Sequence, residues 1–247
     1  MLSMKKLLGS ILTVVVLAGC ASVKPLEMPE RVFEEGEDGE RGWWRVRFRM
    51  AWPPDREPAW HVDFFLAHRV VSPVLGRYGD CLPLWRFHRR AARDGAGHQF
   101  SFLFYSTPST ARGIYDEVRG NDLLARVVEA GVIEAVRYDD IGTLSMPRRE
   151  DTSDRHWPES VQKAWPAFIM GASRTWVELI HLTALEKLEK DGPLNDSPSD
   201  VLEFYREVSE SVTELWREEG RHAFLHHLNA LFGYEPVVVY ERKLMRF

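Results

Sequence analysis

From Trp43 to Met50 the chain reads WWRVRFRM, with apolar and cationic residues in strict alternation after Trp43. Successive side chains of a strand point to opposite faces, so this period of two predicts a half-buried strand. Trp44, Val46, Phe48 and Met50 then share one face, and Arg45, Arg47 and Arg49 the other. Any fold of this chain must bury the first set. It must also give the second set water, acids or a ligand, because an unpaired buried charge is very costly. Pro53-Pro54 ends the run.

The segments that follow limit the architecture further. Trp60 to Tyr78 carries Phe64, Phe65, Ala67, His68, Val71, Val74, Leu75 and Tyr78 near helical spacing, with Pro73 placed to kink or shorten it. Leu84 to Arg90 is a second strand, with Arg86, His88 and Arg90 opposite Trp85, Phe87 and Arg89. After the turn Asp94-Gly95-Ala96-Gly97, His98 to Ser106 is a third strand with Phe100, Phe102 and Phe104 on one face. The short glycine-containing link predicts a hairpin. Thr107-Pro108-Ser109 opens a helix, with Ser109 or Thr107 as its N-cap. A second piece runs from Asp122 to Ala130, and Val132 to Tyr138 is a fourth strand. The fold class is α+β, and the order β-α-β-β-α-β is that of the ferredoxin-like split βαβ arrangement. A two-layer α+β fold with another strand order is the alternative.

Residues 142–158 form a polar connection. Pro158 to Lys190 then carries Val161, Trp165, Phe168, Ala172, Trp176 and Leu179 at spacings of three and four, and Gly192-Pro193 stops it. Ser199 or Asp200 caps a last helix with Val201, Tyr205, Val208, Val212, Leu215 and Trp216, which bends or breaks at Gly220 and ends at Gly233. The spacing predicts burial of Trp165, Phe168 and Trp176 with the aromatic strands. Residues 236–247 are β-like and fit either an added strand or a segment lying against the helices.

The N-terminal end has a different character. Met4-Lys5-Lys6 precedes an apolar run from Leu7 to Leu17 and then Ala18-Gly19-Cys20, a charged flank and an apolar stretch of signal-peptide length. A spanning helix needs about 20 apolar residues, more than this run supplies. Leu17-Ala18-Gly19-Cys20 resembles the lipobox of bacterial lipoproteins. The resemblance implies that residues 1–19 are removed and that Cys20 opens the mature chain, with a diacylglyceryl thioether on its sulfur and usually an acyl chain on its amine. It further implies a protein anchored to the cell membrane or outer membrane and facing the periplasm or exterior. Ala21-Ser22, with no Asp, points to the outer membrane where the source has one. Residues 20–42 hold seven acids against Lys24, Arg31 and Arg41, with Pro25, Pro29, Gly36, Gly39 and Gly42, the composition of a tether. The sheet domain then covers residues 43–141, and residues 142–247 form a helical region packed on it.

Composition removes some function classes. The chain has a formal net charge of −5, and loss of the signal takes Lys5 and Lys6 with it. So acidic a chain is a poor match for nucleic acid. Cys81 has no partner if Cys20 is lipidated, and reads as a buried or inert thiol. Gly-x-Ser-x-Gly, a phosphate loop and Cys-x-x-Cys are absent, and no cofactor is implied.

Three constellations remain. Arg45, Arg47, Arg49, Arg86, His88 and Arg90 would lie together on the uncovered sheet face and bind an anion, since guanidinium forks suit carboxylate and phosphate. The competing readings are a solvated face, or cover by the last helix with its Asp200, Glu203, Glu207, Glu210, Glu214, Glu218 and Glu219. Glu178-x-x-His181 and Glu219-x-x-His222-x-x-x-His226 offer an alternative metal set on the C-terminal helices. His61 and Asp63, with His98 elsewhere, read as local helix capping, because i and i+2 point apart on a helix.

The expected function is a non-enzymatic, lipid-anchored envelope protein. Its binding or assembly role would involve an anionic envelope ligand or an envelope protein partner. The alternative is an envelope hydrolase or metal-dependent enzyme using the His/Glu set. Cys20→Ser is expected to abolish incorporation of labelled palmitate and leave precursor or unlipidated chain. Labelling that persists in the variant would place the lipid elsewhere.

Overall fold

The computed structural model describes residues 40–236. The predicted signal peptide, Cys20, nearly all of the tether and the predicted terminal strand lie outside the described residues. The sheet comprises β1 (Gly42–Met50), β2 (Leu84–Ala91), β3 (His98–Ser106) and β4 (Ile133–Tyr138). Between β1 and β2 the chain forms α1 (Trp60–Phe65), a π-helical turn at Leu66–Val71, and α2 (Ser72–Tyr78). Between β3 and β4 it forms α3 (Pro108–Arg119) and α4 (Asp122–Glu129). The long α5 (Glu159–Asp191) and α6 (Pro198–Glu219) follow, then a second π-helical turn at Gly220–His226 and the short α7 (His227–Leu231). The fold is therefore α+β, with strand order β2-β3-β1-β4 and every neighbouring pair antiparallel.

The alternation in β1 sets the layers. Trp44, Val46, Phe48 and Met50 are buried, and Arg45, Arg47 and Arg49 are half-buried on the opposite face. The apolar face meets Phe100, Phe102 and Phe104 of β3 and Trp85 and Phe87 of β2 in one core. Ile114, Tyr115 and Val118 of α3 and Leu124 and Val127 of α4 join the same core. On α6, Val201, Tyr205, Val208 and Val212 complete it. The helix α6 packs against α1 and α5.

Local chemistry explains the helix ends and irregularities. Thr107 Oγ1 accepts the Thr110 N–H to cap α3, so the cap is Thr107 and not Ser109. For α6 the cap is Ser197, not Ser199 or Asp200, and Pro198 stands in its first turn. Proline at this position gives up only an N–H that has no intrahelical partner. Pro73 likewise lies in the first turn of α2, so the regular α-helix of α1 stops short of it. The turn before it widens instead, and both the Ser72 N–H and hydroxyl donate to the Ala67 carbonyl. Pro166 sits inside α5 and cannot bond the Gln162 carbonyl, which accepts from Ser153 Oγ at 2.7 Å. At Gly220 the regular α-helix stops, and the chain widens into the second π-helical turn. Gly192, at φ +87°, ends α5 as expected.

The connection from β4 to α5 crosses the start of β1. Leu144 and the Met146 carbonyl press so closely on Gly42 that no side chain fits there. The Trp43 N–H donates to Met146 O and its indole N–H to Arg149 O, both at 2.9 Å. From this connection α5 passes along the β2 edge. Met170 touches the Trp43, Leu84 and Leu103 cluster, and Ser173 Oγ accepts the outward Phe87 N–H at 3.1 Å. Beyond it, Trp176 packs on Phe87 and Phe100. Because α5 runs along this edge, its aromatic stripe is not all core: Phe168 is 47% exposed. Trp165 and Trp176 are half-buried. Among the described residues no helix is long and apolar enough to cross a membrane.

Phe102 is fully buried at the centre of the sheet. Phe102→Ala is expected to cost about 3–5 kcal/mol, read as a lower denaturation midpoint. An unchanged midpoint would mean that this stripe does not carry the core.

Candidate functional site

The strand register brings the six predicted cationic residues onto one face. With β3 between β1 and β2, they form three cross-strand rows: Arg86–Leu103–Arg45, His88–Ser101–Arg47 and Arg90–Gln99–Arg49. Directly opposed residues of antiparallel strands share a face. The strand β4 adds Arg137 beside Arg47, and the Asp139 N–H bonds the Arg45 carbonyl. The helices α1, α3 and α4 carry the apolar core on the other side, while the 142–158 connection and Met170 of α5 cover the Trp43, Leu84 and Leu103 end and reach Arg86 through Thr152.

Nearby acids neutralise part of this charge. Asp139 accepts from Arg45 Nε and Arg47 Nη2, each at 2.9 Å. Arg49 pairs with Glu134 at 3.0 Å and donates to the Gly95 carbonyl at 3.1 Å. Arg90 pairs with Asp94 and, with two backbone N–H groups, holds that carboxyl down at about 2. Among the described residues Arg86 bonds only the Thr152 carbonyl, at 3.2 Å, and burial lowers its pKa. Arg137 is exposed and has no ion partner among the described residues. The histidine of the set, His88, is pushed below its ordinary pKa by burial and by Arg86 and Arg90. The acidic α6 takes no part, since it lies against α1 and α5 on the apolar side. Cover by that helix is thus ruled out. Six arginines face three carboxylates here, in a surface suited to carboxylate or phosphate.

Other polar groups gather among the helices. Asp63 does not cap α1: it is fully buried, accepts from Arg89 Nε at 2.7 Å, and lies 3.2 Å from His98 Nε2. The Arg89 guanidinium also stacks within 5.2 Å of the Trp60, Phe64 and Trp176 rings. This is why a cation is tolerated on the apolar side of β2. The break in the apolar pattern at Arg89 was visible in the sequence, but its partner was not. In the first π-helical turn, His68 Nδ1 shares a 2.7 Å hydrogen bond with Tyr205, and His68 Nε2 lies 3.1 Å from His181 Nδ1. Burial, with His181 and Arg69, pulls His68 down to about 4. Burial also raises the Tyr205 hydroxyl.

The alternative metal set is not assembled. His181, which shares α5 with Glu178, pairs with His68, while His222 and His226 stack on each other with ring centroids 5.3 Å apart. Glu219 is exposed at the end of α6. Among the described residues no three His, Cys, Asp or Glu side chains are placed to hold a metal ion. Cys81 is free and exposed, not buried. Comparison of the chain with family models, with curated proteins and with solved structures finds no match in any of the three.

His61 and His68 both titrate near 4 in the folded chain, against 6.5 as the ordinary value, chiefly through burial. As pH falls from about 6.5 to about 4, the unfolded chain takes up these protons first, so stability is lost across this window. His68→Gln is expected to flatten that loss in denaturant melts at stepped pH. An unaltered slope would place His68 in water.

Proposed function

We propose that this chain is a lipid-anchored protein of the bacterial cell envelope, held through Cys20, that binds an anionic ligand on the open face of its sheet. One observation carries the reading: the strand register collects six arginines on one face, and only four of them are paired with a carboxylate among the described residues. The anchor rests on Leu17-Ala18-Gly19-Cys20 and its resemblance to a lipobox. Two or three acyl chains hold a protein at a bilayer without a spanning helix. That would keep the face within reach of phosphate or carboxylate groups in the envelope.

The ferredoxin-like arrangement is part of the same proposal. In its support, β1 and β2 flank β3, β3 and β4 flank β1, and helices join each flanking pair. Such a sheet carries its helices on one face and leaves the other for a ligand.

The test uses the Cys20→Ser chain, so that no anchor contributes, with phosphatidylglycerol vesicles as probe and phosphatidylcholine vesicles as control. Replacing Arg90 and Arg137 together by Ala is expected to weaken binding about thirty-fold, at about 1 kcal/mol per basic residue near an anionic surface. Thermal stability should hardly change, since exposed pairs contribute about 0–1 kcal/mol. Binding should weaken with salt. Equal affinity of parent and variant, or no preference for the anionic vesicles, would leave these arginines a solvated face.

A further inference from the structure

A cavity lies on the apolar side of the sheet, away from the arginine face. It is a groove of about 730 Å³ between α5, α6 and the second π-helical turn. Phe168 and Trp176 of α5, Val212 and Trp216 of α6, and Phe224 and Leu225 of the turn form its walls. Its α5 wall runs from Ala167 to Leu179, about 18 Å at the rise of a helix. Ala167, Gly171 and Ala172 keep that wall shallow, and a side chain added at Gly171 would meet open space. Phe168 and Trp216 are 47% and 53% exposed, so much of the aromatic surface is left to water. Apolar pockets of roughly 300–1,000 Å³ are the usual size for small-molecule ligands.

The polarity of the walls selects the occupant. Two hydroxyls line the groove, Thr175 and Thr213, and both are already spent on the carbonyls of Gly171 and Ser209. Along the groove, where α5 runs from Ala167 to Leu179, the helix backbone bonds within itself. An extended peptide laid here would bury its own N–H and C=O groups without partners, at a cost of order 1–3 kcal/mol each. A hydrocarbon chain carries no such groups. One lining residue, Arg89, is charged. Its Nε is held by Asp63 and its Nη2 reaches the Trp60 carbonyl, while Nη1 makes no hydrogen bond among the described residues. The guanidinium carbon lies 5.2 Å and 4.7 Å from the Phe64 and Trp176 rings, and all three residues line the groove, so a carboxylate bound there can accept from Arg89.

We propose that the groove is a binding site for a fatty acid, with the alkyl chain between α5 and α6 and the carboxylate at Arg89. The site is separate from the arginine face and stands whether or not that face binds an anion. The experiment titrates palmitate into the full-length Cys20→Ser chain, which carries no acyl group at that cysteine. Saturable binding at one site per chain is expected. Gly171→Leu should weaken it by about ten-fold or more, because the new side chain takes the volume of buried methylenes. The same variant should melt no lower than the parent, since leucine favours a helix over glycine and enters open space. Hexadecanol, which lacks the charge, should bind about ten-fold more weakly than palmitate, the worth of a charge-assisted hydrogen bond.

No saturable binding, or equal binding by Gly171→Leu, would overturn the proposal. So would palmitate binding that appears only after deletion of residues 237–247, which would make that segment the occupant. A dimer of the parent chain that Gly171→Leu dissociates would assign the groove to a second copy instead. Equal affinity for hexadecanol would overturn the role given to Arg89.

Discussion

The register of β1 between β3 and β4 is the constraint on which the structure depends. Each side chain of this strand has one of two destinations, core or arginine face, and its neighbours on both sides obey the same parity. A slip of one residue would send Arg45, Arg47 and Arg49 among the phenylalanines and put Trp44, Val46 and Phe48 in water. Burying those cations unpaired would cost far more than the 5–15 kcal/mol by which a domain is ordinarily stable. The cationic residues therefore do two things. They form a surface, and they exclude the wrong pairing.

Much of this was legible because a strand writes its two faces into sequence as alternation. Trp44 to Met50 and Phe100 to Phe104 declare their buried sides. So did the start of α3, where Thr107-Pro108 supplies both cap and first turn. What could not be read were contacts between segments far apart. Nothing in the acidic pattern of α6 says which surface it lies on. Its core stripe of Val201, Tyr205, Val208 and Val212 is satisfied by α1 as well as it would be by a sheet. The same blindness put Phe168 in the core, since helical spacing shows that a stripe exists but not that every turn of it is covered. Asp63 is the sharpest case. Its partners, Arg89 and His98, come from two strands of a hairpin, and only the folded chain brings them to one carboxylate.

The polar groups inside the helical layer bear on how the sheet and the C-terminal helices are joined. Arg89 on β2, Asp63 on α1 and Trp176 on α5 meet at one guanidinium. Tyr205 of α6 reaches His68 beside α1, and His68 reaches His181 of α5. A buried ion pair of this kind contributes little against an apolar substitute, yet loss of one partner is costly. These groups fix which helix lies against which strand, and the apolar contacts around them supply the stability.

The position of β1 also has a mechanical consequence. The chain enters the described fold at the start of a central strand that is paired on both edges, and not at a free edge. Its hydrogen bonds to β3 and β4 run across the strand axis. Tension applied from the N-terminal side therefore loads two ladders in shear, so many bonds share the force and must fail together. Pulled the same way, an edge strand would peel off one pair at a time. A domain entered in this way resists being dragged by its leading end.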